Sequence, residues 1–246
     1  MSLLIAALRS LVFYVLFYGG SALLVVASVV AVVARRAWLR GVVARWGQWH
    51  LWCVRHLLGI DVVMDGAVPD MPVLIAMKHE SFFEAIDTPR LFAFPAVFAK
   101  QELFGIPGWG RSARIYGLIP VARGDGAKTL RQMLALAKQR VAEGRPLIIF
   151  PEGTRVEHGA QPGLQAGFAG LYKLLRLPVV PIAVDSGRAY HHVVKRPGRI
   201  TYKVGETIPA GLPREEIEAR VHAAINALNA QPSFLKADPE AAAHRA

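Results

Sequence analysis

The chain of 246 residues has a single cysteine, Cys53. That excludes a disulfide framework and any multi-cysteine zinc or iron–sulfur site. Acidic side chains are scarce, 18 against 29 lysines and arginines, and none precedes Asp61. Charged residues make up only 19% of the chain and apolar residues 53%, so disordered and low-complexity classes are excluded too. No internal repeat is present, and the length suits one compact domain with an appendage. No Gly-x-Ser-x-Gly elbow occurs, which leaves Ser81 and Ser186 without the setting of a hydrolase nucleophile.

What is present begins with positive charge, a formal +11 that suits nucleic acid, anionic lipid or phosphorylated ligands equally. Its distribution separates them. Arg9, Arg35, Arg36, Arg40, Arg45 and Arg55 stand before Asp61 and supply +6 of the total. Leu11 to Ala34 is a run of 24 uncharged, mostly aliphatic residues. As a helix rising about 1.5 Å per residue it would outreach a hydrocarbon core of about 30 Å. A nucleic-acid binder has no use for such a segment, whereas a lipid-bound protein needs one. A cleaved signal peptide is the weakest reading, because the run is long and the Arg35-Arg36 pair resembles a stop-transfer flank. A full span with the arginines holding the domain in the cytoplasm, or a shallow insertion divided at Gly19-Gly20, both remain open. Trp38 to Leu58 follows as an amphipathic helix, with Trp38, Leu39, Val42, Val43, Trp46, Trp49, Cys53 and Leu57 on one side. Indole with arginine suits either the headgroup layer or a helix packed on the domain. Cys53 on that apolar side reads as a small buried hydrophobe.

From Ile60 the pattern predicts an α/β fold, a mixed, largely parallel sheet flanked by helices. Strands are expected at Val62–Met64, Val73–Met77, Ala96–Ala99, Ile115–Val121, Leu147–Phe150, Val179–Val184 and Ile200–Val204, several buried on both faces. Helices are expected over Thr129–Val141, stopping before Gly144, and after Pro213, where Glu215 and Glu216 face the positive end of the dipole. The organisation so read is a membrane-associated helical segment over 1–58, the α/β domain over 59–231, and a flexible tail over 232–246.

Chemistry gathers where apolar strands end. After Met77 come Lys78, His79, Glu80, Ser81 and Glu84, at the strand edge where α/β sheets place their sites. A carboxylate one turn into the next helix can hold one nitrogen of His79 while the other faces a substrate proton, making a general base. Ser81-x-x-Glu84 is equally a capping box, and on spacing alone capping is the better reading. The second cluster follows Leu147–Phe150 as Pro151-Glu152-Gly153-Thr154-Arg155. A type I turn explains Pro151 and Gly153 but not the charges. Lys100 and the Gly117–Arg123 stretch also place basic residues after apolar runs, where a lone charge is ordinarily a solvated one.

Taken together, these stretches resemble the glycerolipid acyltransferases, the family that includes the 1-acylglycerol-3-phosphate acyltransferases. Its members carry a His-x4-Asp motif, a Gly-x5-Arg stretch after a strand, a Phe-Pro-Glu-Gly-Thr-Arg motif and a later apolar run containing proline. Here these are His79, Gly117–Arg123, Phe150–Arg155 and Val179–Ile182, in the same order, over about Met71 to Val184. The third motif matches residue for residue, which overturns a capping-only reading. One departure is Glu84 in place of aspartate. Glu84 keeps the family spacing, and Asp87 is its nearby rival.

The resemblance implies transfer of a fatty acyl group from coenzyme A or acyl carrier protein to the hydroxyl of lysophosphatidate, with glycerol 3-phosphate or another lysolipid as the alternative acceptor. His79 would be the base, oriented by Glu84. Arg155, Arg123 and Lys100 would receive the phosphate. Glu152 would hold an arginine or a glycerol hydroxyl, with Gly153 and Thr154 shaping the loop. No metal or resident cofactor is expected, and His191-His192 reads as a solvated pair. The expected partners are a lysophospholipid, an acyl donor and a membrane with anionic lipid, not nucleic acid. Phospholipid binding without chemistry is the alternative of another class; it explains the cations but gives His79 no role.

Overall fold

The computed structural model describes residues 3–122 and 126–229 and, apart from 126–129, their side chains. Arg123 and the expected tail over 232–246 lie outside the described residues. All seven expected strands are present: β1 Ile60–Asp65, β2 Leu74–Met77, β3 Ala96–Lys100, β4 Ile119–Val121, β5 Leu147–Ile149, β6 Val179–Val184 and β7 Gly198–Val204. They form one sheet in the order β1-β7-β6-β2-β5-β3-β4. Among the pairs of described strands only β6–β7 is antiparallel, so the predicted mixed, largely parallel sheet is the one observed.

The helices are α1 Leu3–Ala34, α2 Trp38–Cys53, α3 Phe82–Leu91, α4 Trp109–Tyr116, α5 Gly126–Ala142, α6 Ala166–Leu175, α7 Gly187–Tyr190 and α8 Arg214–Ile225. The strand expected from Ile115 starts four residues later, because Ile115 and Tyr116 close α4 and Gly117 caps it in the left-handed conformation. The amphipathic stretch begins at Trp38 as expected, but its last turn, Val54–Leu58, widens into a π-helical one that Gly59 ends.

The continuous apolar runs follow from a sheet buried on both faces. Ile75, Met77, Val180 and Ile182 face a core shared with Phe13, Phe17, Cys53 and Phe83 from α1, α2 and α3. Leu74, Ala76, Leu147 and Val179 face the opposite core, with Phe168 and Leu171 of α6 and Ile217, Val221 and Ile225 of α8. Cys53 is fully buried, as its place on the apolar side predicts.

Residues Gly19 and Gly20 do not divide α1, which runs unbroken for 32 residues. Gly20 instead receives the indole of Trp49 at a distance a methyl group would close. Phe13 and Phe17 are almost wholly buried, each side chain contributing about 1.5–3 kcal/mol to holding α1 on the fold. Ser10 Oγ accepts from the Lys195 N–H at 2.8 Å near one end of the helix, and Ser28 Oγ meets Ser112 Oγ at 2.9 Å near the other. Thus α1 lies along the α/β domain. Its outward side, including Leu4, Leu8, Leu11, Val15, Leu23, Val26, Val30 and Val33, is exposed. In α2, Leu39 and Cys53 are buried, Trp46 donates to Ser21 Oγ at 3.0 Å, and Trp38 and Trp52 stay exposed. Packing and an outward indole face therefore coexist on that helix.

Candidate active site

Strand order builds the site. β2 lies between β6 and β5, all three are parallel, and their C-terminal ends share one edge of the sheet. His79 leaves β2 there, the Phe150–Arg155 stretch leaves β5, and Ser186 follows β6.

The capping box exists. Ser81 Oγ accepts from the Phe83 N–H at 3.1 Å, and Glu84 Oε1 accepts from the Ser81 N–H at 2.7 Å. The same Glu84 oxygen lies 3.1 Å from His79 Nδ1. Capping and orienting the imidazole are thus one arrangement, since the bend that returns Glu84 to the helix start brings it under the ring. Glu84 is wholly buried. Burial alone would raise its pKa, but the hydrogen bond and charge of His79, followed by the Ser186 and Ser81 hydrogen bonds, hold it below the usual carboxylate value. The imidazole stacks on Phe150 at 4.1 Å between centroids, with 15% of its side-chain surface open to solvent. Nδ1–H donation to a carboxylate leaves Nε2 as the acceptor nitrogen. Asp87 is turned elsewhere, held by Arg90 at 2.6 and 2.7 Å and by the Tyr202 hydroxyl at 3.1 Å.

Glu152 differs from expectation. The resemblance implies an arginine or a glycerol hydroxyl as its partner, whereas in the structure it is buried, with Oε1 2.7 Å from Lys78 Nζ and Oε2 accepting the His79 N–H at 3.0 Å. Lys78, also fully buried, donates further to Ala160 O and Asn226 Oδ1, both at 2.7 Å. The physical reason is charge balance: a lysine carried inside by an apolar strand needs a carboxylate, and Glu152 is the one at hand. Glu152 therefore ties the β5 turn to the strand end that bears His79.

A four-residue turn is closed there by the Gly153 N–H donating to Phe150 O at 3.0 Å. Gly153 has φ +70°, and a Cβ there would stand 2.7 Å from Gln165 Cγ, so glycine is required twice over. Thr154 and Arg155 are exposed. The Arg155 guanidinium lies 3.7 Å over the ring of Phe82, the residue after Ser81, which stations it beside the dyad. Lys100 ends β3, exposed and two places from β2, about 10 Å away by strand spacing.

Several participants were not singled out from the sequence. Glu80 is buried; its Oε1 lies 2.9 Å from His158 Nδ1 and its Oε2 accepts the Gly187 N–H at 2.8 Å. Burial pushes Glu80 up to about 8, the Gly187 hydrogen bond opposing. His158, whose Nε2 accepts from Arg188 Nε at 2.7 Å, is pushed down to about 4 by burial and then by the charges of Arg188 and Lys78. His191 is not simply solvated, since its Nδ1 contacts Glu80 O at 2.5 Å. Lysine at the end of an apolar strand was a legible signal for Lys78; nothing local marked Ser186, His158 or Asn226. Among the described residues no cluster of ligating side chains is arranged to hold a metal ion.

Comparison with known proteins identifies the chemistry. A sequence model of the acyltransferase family matches residues 59–185, more than half of the chain. This chain belongs to the acyltransferase family. The 1-acyl-sn-glycerol-3-phosphate acyltransferase of Pseudomonas aeruginosa is 28% identical over 215 residues, spanning 84% of this chain and 82% of that one. The Helicobacter pylori protein of the same name is 32% identical over 108 residues, spanning 44% of this acyltransferase and 45% of its own length. Among solved structures, the 1-acyl-sn-glycerophosphate (LPA) acyltransferase PlsC of Thermotoga maritima superposes with a TM-score of 0.66 at 22% identity, covering 94% of this chain and 97% of that one. That likeness shows the fold. The matched family segment of the acyltransferase runs from the start of β1 to the end of β6 and contains His79, Glu84 and the whole Phe150–Arg155 turn.

Proposed function

We propose that this acyltransferase moves a fatty acyl group from coenzyme A or acyl carrier protein to the sn-2 hydroxyl of lysophosphatidate, giving phosphatidate. The names of its relatives support the acceptor. The observation that carries the mechanism is the 3.1 Å contact of His79 Nδ1 with Glu84 Oε1, in a ring partly open to solvent.

The acceptor hydroxyl has a pKa far above neutrality, so its proton must leave as the oxygen attacks the thioester carbonyl. His79 Nε2 takes that proton, and Glu84 fixes the tautomer and stabilises the imidazolium. Collapse of the tetrahedral intermediate breaks the C–S bond, and the imidazolium returns the proton to the thiolate. Arg155, fixed on Phe82, binds the acceptor phosphate through its paired N–H groups. Lys100 is a further cation for that phosphate, and the Gly-x5-Arg motif adds Arg123 by resemblance alone. Gly153 and Thr154 shape the turn, and Glu152 acts through Lys78 and the His79 backbone rather than on substrate. The chain supplies no resident cofactor in this scheme; the thioester is a co-substrate.

Residues 1–58 form the membrane-associated segment and 59–231 the catalytic domain. α1 is long and apolar enough to cross a membrane. Its attachment at both Ser10 and Ser28 favours insertion into one leaflet, on the cytoplasmic side, with the arginines meeting anionic headgroups. A lipid acceptor then reaches His79 without crossing water, avoiding a cost of about 0.8 kcal/mol per methylene.

The test is thiol release from acyl-coenzyme A and from acyl carrier protein, with lysophosphatidate as acceptor, in the wild type and in His79→Ala. The expected result is phosphatidate from the wild type and a loss of about 10²–10⁴-fold in the variant. Thiol release equal in both proteins, or free fatty acid in place of phosphatidate, refutes the reading.

A further inference from the structure

The turn after β6 belongs to none of the motifs, yet it reaches the dyad at Glu84. Ser186 is fully buried, with its Oγ 2.7 Å from Glu84 Oε2 and 2.8 Å from Ser81 Oγ. We propose that Ser186 is a positioning residue for the reaction, holding the Glu84 carboxylate in the orientation that steers His79. The inference rests on the His79–Glu84 reading above.

A glutamate stands where the family pattern has aspartate, and its extra methylene adds a rotatable torsion between backbone and carboxylate. An orienting acid on a longer arm needs more restraint to keep one geometry. The structure supplies it at both oxygens. Oε1 is fixed by the Glu80 and Ser81 N–H groups at 2.5 and 2.7 Å, and it is the oxygen facing His79. Oε2 has Ser186 at 2.7 Å and Ser81 Oγ at 3.1 Å. Each hydroxyl has one proton to give. The single proton of Ser81 Oγ has Ser186 Oγ at 2.8 Å and Glu84 Oε2 at 3.1 Å within reach, so the shorter contact to Oε2 comes from Ser186. Without that donor, Oε2 keeps one long contact in a site closed to water, and the carboxylate is free to rotate away from the imidazole.

The position of Ser186 is itself determined. The next residue, Gly187, donates its N–H to Glu80 Oε2 at 2.8 Å, and a Cβ at Gly187 would stand 2.9 Å from that oxygen. Glu80 thus grips the turn after β6 from the strand end that carries His79. Glu80 and Glu84 together lock this turn against the dyad, and the only hydroxyl it contributes points at Glu84.

A double-mutant cycle in the thiol-release assay tests this, using the full chain in lipid or detergent. Ser186→Ala is expected to lower kcat roughly ten- to a hundredfold, the range for losing a hydrogen bond to a charged group. KM for acyl donor and lysophosphatidate should not change. In a Glu84→Ala background the same substitution should cost nothing further, because there is no carboxylate left to hold. Ser186→Cys, of similar volume and with a weaker donor, should fall between serine and alanine, and it replaces the alanine variant if that one lacks a cooperative melt. An equal loss with and without Glu84, or no loss in the wild-type background, overturns the role of Ser186 and leaves the dyad standing. Full kcat in Glu84→Ala refutes the dyad, and the role of Ser186 falls with it.

Discussion

Lys78 Nζ and Glu152 Oε1 stand 2.7 Å apart with neither side chain reaching solvent. This pair joins the residue before His79 to the β5 turn, tying together two stretches that are 74 residues apart in sequence. Removing one partner strands the other. Lys78→Met should destabilise the protein by about 3–5 kcal/mol, the range for an orphaned buried charge. Adding Glu152→Leu should restore much of that loss. Urea or guanidinium unfolding followed by circular dichroism measures both, and a single variant as stable as the wild type would show that the pair does not bear on folding.

Arg155 is exposed and rests on Phe82, so its replacement should spare the fold and weaken the acceptor. Arg155→Ala is expected to raise KM for lysophosphatidate about tenfold or more, with KM for the acyl donor little changed. Phe82→Ala should act in the same direction more weakly, by loosening the guanidinium. A rise confined to the acyl donor would assign Arg155 to the other substrate.

Glu80 gives the fold a pH signature. Its folded-state pKa, raised to about 8 by burial, lies above the value it has in the unfolded chain. The native state therefore binds this proton more tightly, and the stability it contributes is complete below the unfolded pKa and is lost as pH rises through about 8. Glu80→Gln, which cannot ionise, should show a flatter decline in Tm between pH 5 and about 8.5 than the wild type. Parallel curves for the two proteins would refute the assignment.

The exposed side of α1 should bind lipid, and the arginines should make that binding prefer anionic headgroups. Flotation with vesicles is expected to recover more protein on phosphatidylglycerol-containing than on pure phosphatidylcholine membranes, with the difference shrinking as salt rises. Replacing exposed Leu11 and Val15 by aspartate should release the protein from both kinds of vesicle. Retention by the doubly substituted chain would move the membrane contact away from α1.

The sequence alone determined the elements and the chemistry available to them. Apolar runs of strand length gave all seven strands, most plainly β2, β5 and β6, which are buried throughout and so carry no alternation, while β1 and β7 keep exposed positions, and Phe150–Arg155 was specific enough to point to the family. Spacing within one turn placed Glu84 rather than Asp87 under His79, because a helix start dictates which side chain can fold back. Tertiary structure decided what no local pattern encodes. Strand order put β6 and β5 on either side of β2, and only that adjacency delivers Ser186 to Glu84 across 102 residues and Glu152 to Lys78. It also made Glu152 the internal counter-charge of Lys78, since a buried lysine must be neutralised by whichever carboxylate the packing supplies. Whether α1 leaves the domain or lies along it was decided the same way, by Ser10 and Ser28 meeting partners more than eighty residues away.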